Sequence, residues 1–419
     1  MDFFSYRNNE LYCEDIKISD IVKQYKTPLY LYSKNAIKHK FKQYADAFQS
    51  VPHTICYALK ANSNLHILKL LGELGSGADI VSGGELFLAL KAGIDPKKIV
   101  YASVGKTDRE IEFAIESGIR AFNIESEQEL EVINNIATGL GKKAPIAIRI
   151  NPDIDINGHP YISTGKSINK FGINIKRALD VFKRADKMSG IAIDGIHSHI
   201  GSQILNLEYF KAAAEKLAVF VNELRDHGMV LNHIDIGGGL GVNYTNLVKY
   251  DSISDNTKQP EPAELADSVL SVLKKLDLEI FFEPGRSIIG EAGALISRVL
   301  YRKDSSGKKF IVVDAGMNDL IRPSLYNAHH QIVPATRNGA EEEIVDIVGP
   351  ICETGDFLAK DREMPRIERG DLLSVMTAGA YGYSLASNYN SRPRPAEVWI
   401  DGNTHELIRS RENWEDFLS

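Results

Sequence analysis

Several short stretches of this sequence carry side chains able to do chemistry. In Tyr57-Ala58-Leu59-Lys60-Ala61-Asn62, Lys60 directly follows an apolar run. A lysine there is either a solvated strand end or a Schiff-base nucleophile whose pKa is lowered by desolvation and nearby cations. His197-Ser198-His199-Ile200-Gly201-Ser202-Gln203 holds an H-x-H pair. A metal would need further His or carboxylate ligands at other strand ends, and none stands out, so no metal is expected. A satisfied His197, and a flat uncharged ring at His199 on which a planar cofactor can stack, are the other readings. Phe282-Glu283-Pro284-Gly285-Arg286 sets an acid and a base three residues apart. They form either an ion pair or a carboxylate that keeps a pyridine nitrogen protonated, making the ring an electron sink.

Ile236-Gly237-Gly238-Gly239-Leu240-Gly241 is a glycine cluster whose backbone N–H groups can approach a phosphate. It fails the dinucleotide fingerprint because position 242 is Val. Gly105-Lys106-Thr107 and Gly165-Lys166-Ser167 fail the Walker motif, with Val100 and Pro160 where its first glycine belongs. Cys352-Glu353 sits among Gly, Pro and Thr in Gly349–Asp356. Its thiol is an inert small hydrophobe or a catalyst. Arg322 and Tyr326, four apart in Met317–Tyr326, are able to grip a carboxylate, since a guanidinium fork matches its two oxygens.

The elements that must position these residues read as an α/β chain. Eight β-rich apolar runs recur at Thr54–Leu59, Ala78–Val81, Ile99–Ala102, Ala121–Ile124, Ile146–Ile150, Ile191–His197, His233–Ile236 and Leu278–Phe282. Between them lie segments of helical period such as Lys211–His227. Alternation of this kind predicts parallel βαβ units, and eight of them suit a closed (β/α)8 barrel of the TIM type. Lys60, Ser82, Arg149, His199, Gly237–Gly239 and Glu283 all fall at or just past the C-terminal ends of runs, the face where barrels build active sites. After residue 290 the pattern changes to strands and tight turns at Ala294–Lys303, Lys309–Asp314, Glu343–Val348, Asp371–Met376 and a hairpin around Asp401-Gly402. The expected division is a cofactor-binding barrel over 28–290 and a second, all-β domain built from 1–27 and 291–419.

The chain has 419 residues, 43% hydrophobic and 25% charged, which excludes a disordered or fibrous protein and leaves ample core. A net charge of −7 offers no cationic surface for nucleic acid or anionic membrane. Three scattered cysteines, Cys13, Cys56 and Cys352, fit no disulfide framework, and no stretch approaches the ~18 apolar residues of a membrane span. A cytoplasmic location is expected.

Taken in order, YALKAN, HSHIGSQ, GGG, EPGR, GPICETGD and AGAYG resemble the fold-type III pyridoxal-phosphate decarboxylases over nearly the whole chain. His159–Gly165 with Met317–Tyr326 looks like the diaminopimelate branch of that group rather than the ornithine or arginine branches. The resemblance implies pyridoxal 5'-phosphate as cofactor, with Lys60 as its Schiff-base lysine, His199 stacked on its ring and Glu283 on its ring nitrogen. It places Ser202, Gly237, Gly238, Gly239 and Tyr381 at the phosphate, with Gly241 nearby. Asp79, Ser82, Arg149, Gly285 and Arg286 match further positions around the cofactor. Arg286, Arg322, Tyr326, Glu353 and Tyr381 are implied for the substrate. Cys352 is implied as general acid, reaching with Glu353 into the partner subunit's site of a homodimer. The expected reaction is decarboxylation of meso-2,6-diaminopimelate to L-lysine, the last step of lysine biosynthesis. A racemase of the same barrel family would set an arginine against the ring nitrogen, where this chain has Glu283. A decarboxylase for another basic amino acid would not need Arg322 and Tyr326 for a second carboxylate, and a non-catalytic regulator would not need Lys60, Glu283 and Cys352.

Overall fold

The structure is a computed structural model that describes residues 2–154, 170–249 and 259–418. The His159–Gly165 motif and the Gly165-Lys166-Ser167 fragment lie outside the described residues. Two compact units divide the chain. One comprises Phe41–Gly241 and Lys258–Ser287, the other Met1–Lys40, Val242–Thr257 and Ile288–Ser419.

The first unit is a closed barrel of eight parallel strands: His53–Ala58, Gly77–Ile80, Ile99–Tyr101, Ala121–Ile124, Ala144–Asn151, Ile191–His197, His233–Asp235 and Glu279–Phe282. Neighbours in sequence pair in parallel, and the eighth strand closes on the first through Ile280 with His53 and Phe282 with Ile55. Strands such as Ala121–Ile124 are buried at every position, the condition of a parallel strand covered on both faces. The expected runs match these strands to within two residues at either end.

The intervening helices start where the sequence offers caps. Ser82 accepts from the Glu85 amide at 3.2 Å at the start of helix Gly83–Lys91. Thr107 and Glu110 form a reciprocal capping box. Helix Glu208–Asp226, expected as Lys211–His227, buries Phe210, Ala214, Leu217, Val221 and Leu224, spaced as one helical face.

In the second unit a nine-stranded sheet runs in the order Phe357–Pro365, Glu342–Val348, Lys308–Val313, Gly293–Ser305, Leu29–Ser33, Ala396–Asp401, Thr404–Arg409, with Leu372–Val375 also paired to Gly293–Ser305 and Ile332–Pro334 paired to Leu372–Val375. The pairing is mixed, with Leu29–Ser33 parallel to Ala396–Asp401 and antiparallel to Gly293–Ser305. The N-terminal strands Phe4–Arg7, Glu10–Cys13 and Ile16–Lys17 make a small meander. Phe4, Leu11, Cys13, Ile18 and Val22 share one core with Leu29, Leu31, Ile296, Val398 and Ile400.

This division differs from the expected one at 28–40, 242–249 and 288–290, which fall in the second unit. Residues 29–40 leave the barrel because the fully buried run Leu29–Ser33 pairs inside the second sheet. Val248 joins the same core, its amide donating to the Gln331 side chain at 2.9 Å. The unit also carries short helices, Ile18–Tyr25 and Arg322–Tyr326, so it is β-rich with a few helical turns.

Candidate active site

At the C-terminal mouth of the barrel, the first strand ends in a single 3-10 turn, Leu59–Ala61, that carries Lys60. Its Nζ lies 2.7 Å from Oδ2 of Asp79 on the second strand. The lysine side chain keeps 35% of its surface exposed while the carboxylate has none. Burial first, and then the neighbouring Glu283, push the Asp79 carboxyl up to about 7, against the opposing pull of Lys60. Gly285 explains how the turn is seated. A Cβ there would lie 2.9 Å from the Ala61 methyl and 3.1 Å from that of Ala58, so the eighth strand's loop packs directly on the lysine turn.

Glu283 follows the eighth strand and is buried. Asn123 on the fourth strand donates to its Oε1 at 3.2 Å, His197 Nε2 stands 3.2 Å away, and His199 Nδ1 is 4.0 Å from Oε2. Burial alone would raise this carboxyl, but His197, Lys60 and His199 together hold it below its ordinary value, so Glu283 is an ionised carboxylate. Asp235, on the seventh strand, is driven the other way, its carboxyl pushed up by burial and by Glu283. The same burial thus acts on two neighbouring carboxyls whose shifts run in opposite directions.

His199 accepts a hydrogen bond at Nδ1 from the Gly238 amide at 3.1 Å. Burial, followed by the cations of Arg149 and Lys60, holds its pKa down to about 3, so the ring is neutral at ordinary pH. The glycine cluster exists for packing as much as for reach. A Cβ on Gly238 would come within 2.1 Å of the Glu283 carbonyl, and one on Gly239 within 2.2 Å of the Gly201 carbonyl, while Gly237 and Gly239 adopt φ of +70° and +107°. The amides of Gly237, Gly238 and Gly241 donate to Asp235, His199 and the Ile204 carbonyl.

Other expected residues have defined surroundings on the same unit. Arg149 is buried against Glu125, which also accepts from the Gly172 amide at 2.7 Å. Ser202 accepts at Oγ from Arg286 Nη2 at 3.1 Å. Ser82 is the helix cap described above. Asn123, Glu125 and Asp235 were not anticipated. An Asn or Asp inside so short a buried strand carries no sequence signal beyond its being polar there. Lys106 of the Walker-like fragment is a buried structural lysine, with donors to Ser103 and Asn123 carbonyls and to Glu129.

Five expected residues lie on the second unit. Arg322 opens the helix Arg322–Tyr326, buried, with Nη1 2.8 Å from His330 Nε2 and its guanidinium over the Tyr244 ring. Tyr326 closes that helix, half-buried. Cys352 and Glu353 are exposed in the loop Gly349–Asp356, where the Cys352 amide donates to Asn390 at 2.8 Å and Glu353 accepts from the Tyr389 hydroxyl. Asp356 ties this loop to the Met317 loop, accepting from the Ile351 and Met317 amides at 2.6 Å each. Ser324 reinforces the tie by donating to the Gly355 carbonyl. Tyr381 has a positive φ of 56°, in the Ala378–Gly382 loop. Asp356, His330 and Tyr389 are the supporting residues that the sequence did not single out.

Comparison with known proteins gives one consistent result. The family described as pyridoxal-dependent decarboxylase, pyridoxal binding domain, matches residues 34–290. The chain is 50% identical over 413 residues to the diaminopimelate decarboxylase of Aquifex aeolicus, covering 99% of this chain and 96% of the relative. It is 46% identical to that of Vibrio cholerae, covering 98% and 97%. Among solved structures it is similar to diaminopimelate decarboxylase from Helicobacter pylori complexed with L-lysine, at TM-score 0.90 and 46% identity over 95% of this chain and 97% of that one. The enzyme from M. jannaschii in complex with L-lysine gives TM-score 0.93 at 37% identity, over 100% and 97%.

Proposed function

This chain belongs to the diaminopimelate decarboxylases, pyridoxal-phosphate-dependent carboxy-lyases that convert meso-2,6-diaminopimelate to L-lysine and CO2 as the last step of lysine biosynthesis, and from that premise we propose how its residues divide the work. The observation that carries the reading is Glu283, a buried carboxylate kept ionised beside the Lys60 amine and the neutral His199 ring. That donor set suits the cofactor: an amine for its aldehyde, an anion for a protonated ring nitrogen and an uncharged face for its ring. Lys60, Glu283 and His199 would hold it in those roles, with Asp79, Ser82, Arg149 and Gly285 framing it. Because the amides of Gly237, Gly238 and Gly241 are committed within the chain, the phosphate would rest on Gly239, Ser202, Arg286 and Tyr381, with the other three glycines shaping the loop. When bound, the cofactor supplies an electron sink for the carbon that loses CO2.

Arg286, Arg322, Tyr326 and Tyr381 bind the substrate's carboxylate and remote polar groups. Diaminopimelate keeps one carboxylate after losing the other, so a guanidinium clamp is required throughout, whereas ornithine keeps none. Glu353 pairs with the remote ammonium. Cys352 holds a proton at Sγ and delivers it to the carbon vacated by CO2. The exposure of Cys352 and Glu353 on a braced loop supports their acting across a homodimer, in the partner subunit's site. A reducing cytoplasm would protect an exposed catalytic thiol of this kind. Among the described residues, no helix is long and apolar enough to cross a membrane.

The test is product analysis after incubating purified protein and pyridoxal phosphate with meso-diaminopimelate, ornithine, arginine and lysine in parallel. CO2 and L-lysine from diaminopimelate alone are expected. Turnover of another amino acid would overturn the roles given to Arg322 and Glu353 while leaving Lys60 in place.

A further inference from the structure

We propose that His330 is a positioning residue for Arg322 and, through it, tunes recognition of substrates that keep a second carboxylate; the inference rests on the reading of Arg322 as a carboxylate clamp. His330 is fully buried just before strand Ile332–Pro334, eight residues beyond Arg322. Its Nε2 lies 2.8 Å from Arg322 Nη1, and its Nδ1 lies 2.9 Å from the Met376 carbonyl. A guanidinium has only donors, so Nε2 is the acceptor; a carbonyl only accepts, so Nδ1 carries the hydrogen. The two bonds together select one neutral tautomer and fix the plane of the ring.

Two further contacts hold the pair. The Arg322 Cζ stands 4.7 Å from the centroid of the Tyr244 ring, and that ring meets His330 edge-on at 5.0 Å. Arg362 donates to the His330 carbonyl at 2.9 Å, which pins the backbone from a separate strand. Arg322 itself starts a helix whose next residue is Pro323, so its own backbone has little freedom. A guanidinium grips a carboxylate through a planar fork, and its affinity therefore depends on the plane in which it is held. His330 is the group that holds Nη1 in that plane. All these residues belong to the second unit.

The experiment compares holoenzyme carrying His330→Leu, His330→Gln and His330→Asn, measuring kcat and KM for meso-diaminopimelate and the affinities of L-lysine and cadaverine. Cadaverine is lysine without its carboxylate, so it reports on everything except the clamp. We expect His330→Leu to raise KM and weaken L-lysine by about tenfold, with kcat within about threefold of wild type and cadaverine unaltered. His330→Gln, whose amide oxygen can replace Nε2 as acceptor, recovers most of the loss; His330→Asn, too short to reach Arg322, does not. Should His330→Leu fail to fold, the contrast between Gln and Asn decides the matter. Equal weakening of lysine and cadaverine, or no difference between Gln and Asn, overturns the inference. Arg322→Ala separates the two readings: if it leaves L-lysine affinity intact, the clamp itself is misassigned, whereas if it alone weakens lysine, only the role of His330 falls.

Discussion

Nζ of Lys60 and Oδ2 of Asp79 meet at 2.7 Å between the first strand's terminal turn and the second barrel strand. The amine is thereby tethered by a buried neighbour and yet partly open at the mouth. Lys60→Ala should abolish the absorbance of lysine-bound cofactor and lower turnover by at least ~1000-fold, since the covalent anchor and nucleophile are lost together. Undiminished turnover would remove Lys60 from the mechanism.

Glu283→Gln keeps the shape of the side chain and removes its charge. Turnover should fall by about 100-fold or more, while cofactor absorbance persists, because the anion facing the ring nitrogen is an electrostatic contribution to the reaction and not the anchor. Parallel spectra and steady-state rates check this, and an unchanged rate would show that another group supplies the charge.

Cys352→Ala should slow product formation by ~100-fold to ~10,000-fold, the usual range for a lost general acid, with the cofactor spectrum retained. If the site is shared across a dimer, mixing Lys60→Ala with Cys352→Ala subunits restores activity. Random exchange makes about half the dimers mixed, each with one intact site, so recovery should approach about a quarter of wild type. Verified mixed dimers without activity would place each site within a single chain.

His199 gives a pH dependence whose sign is fixed by its direction. Its folded pKa, about 3, lies below the ordinary histidine value of 6.5. Between those values the unfolded chain binds the proton and the native one does not, so stability falls as pH drops below 6.5 toward 3. The slope approaches ~1.4 kcal/mol per pH unit midway between the two values, where one proton separates the unfolded and native states. His199→Asn should flatten the apoprotein's stability profile across that window, as measured by denaturant unfolding at a series of pH values. An identical profile would mean that His199 titrates normally.

Gly238→Ala tests the packing of the glycine loop against the eighth strand. A methyl 2.1 Å from the Glu283 carbonyl cannot be accommodated without moving one backbone or the other. A loss of about 1–3 kcal/mol in unfolding free energy is expected, together with weaker cofactor retention. Wild-type stability and retention would show that the loop yields more readily than its contacts indicate.

The barrel was legible because buried parallel strands read as mostly apolar runs, so Ile99–Tyr101 and Ala121–Ile124 stand out with little alternation. Leu29–Ser33 has the same buried character and belongs to the other sheet, and only its pairing partners tell the two apart. Strand Phe357–Pro365, with Lys360, Asp361, Arg362 and Glu363 at its centre, is too charged to be read as a strand at all.

By itself the sequence determined the chemistry on offer: Lys60, His199 and Glu283 at the ends of apolar runs, Cys352 beside Glu353, and Arg322 near Tyr326. Only the tertiary structure decided their electrostatic states and their supports. Asn123 on the fourth strand reaches Glu283 after the eighth because the barrel closes, and the Asp235 carboxyl is pushed up because closure buries it beside that same carboxylate. His330 meets Arg322 because the chain turns back after the short helix into strand Ile332–Pro334. Residue type is local information, whereas desolvation and charge proximity depend on which strands become neighbours, and those neighbours are set by the whole fold.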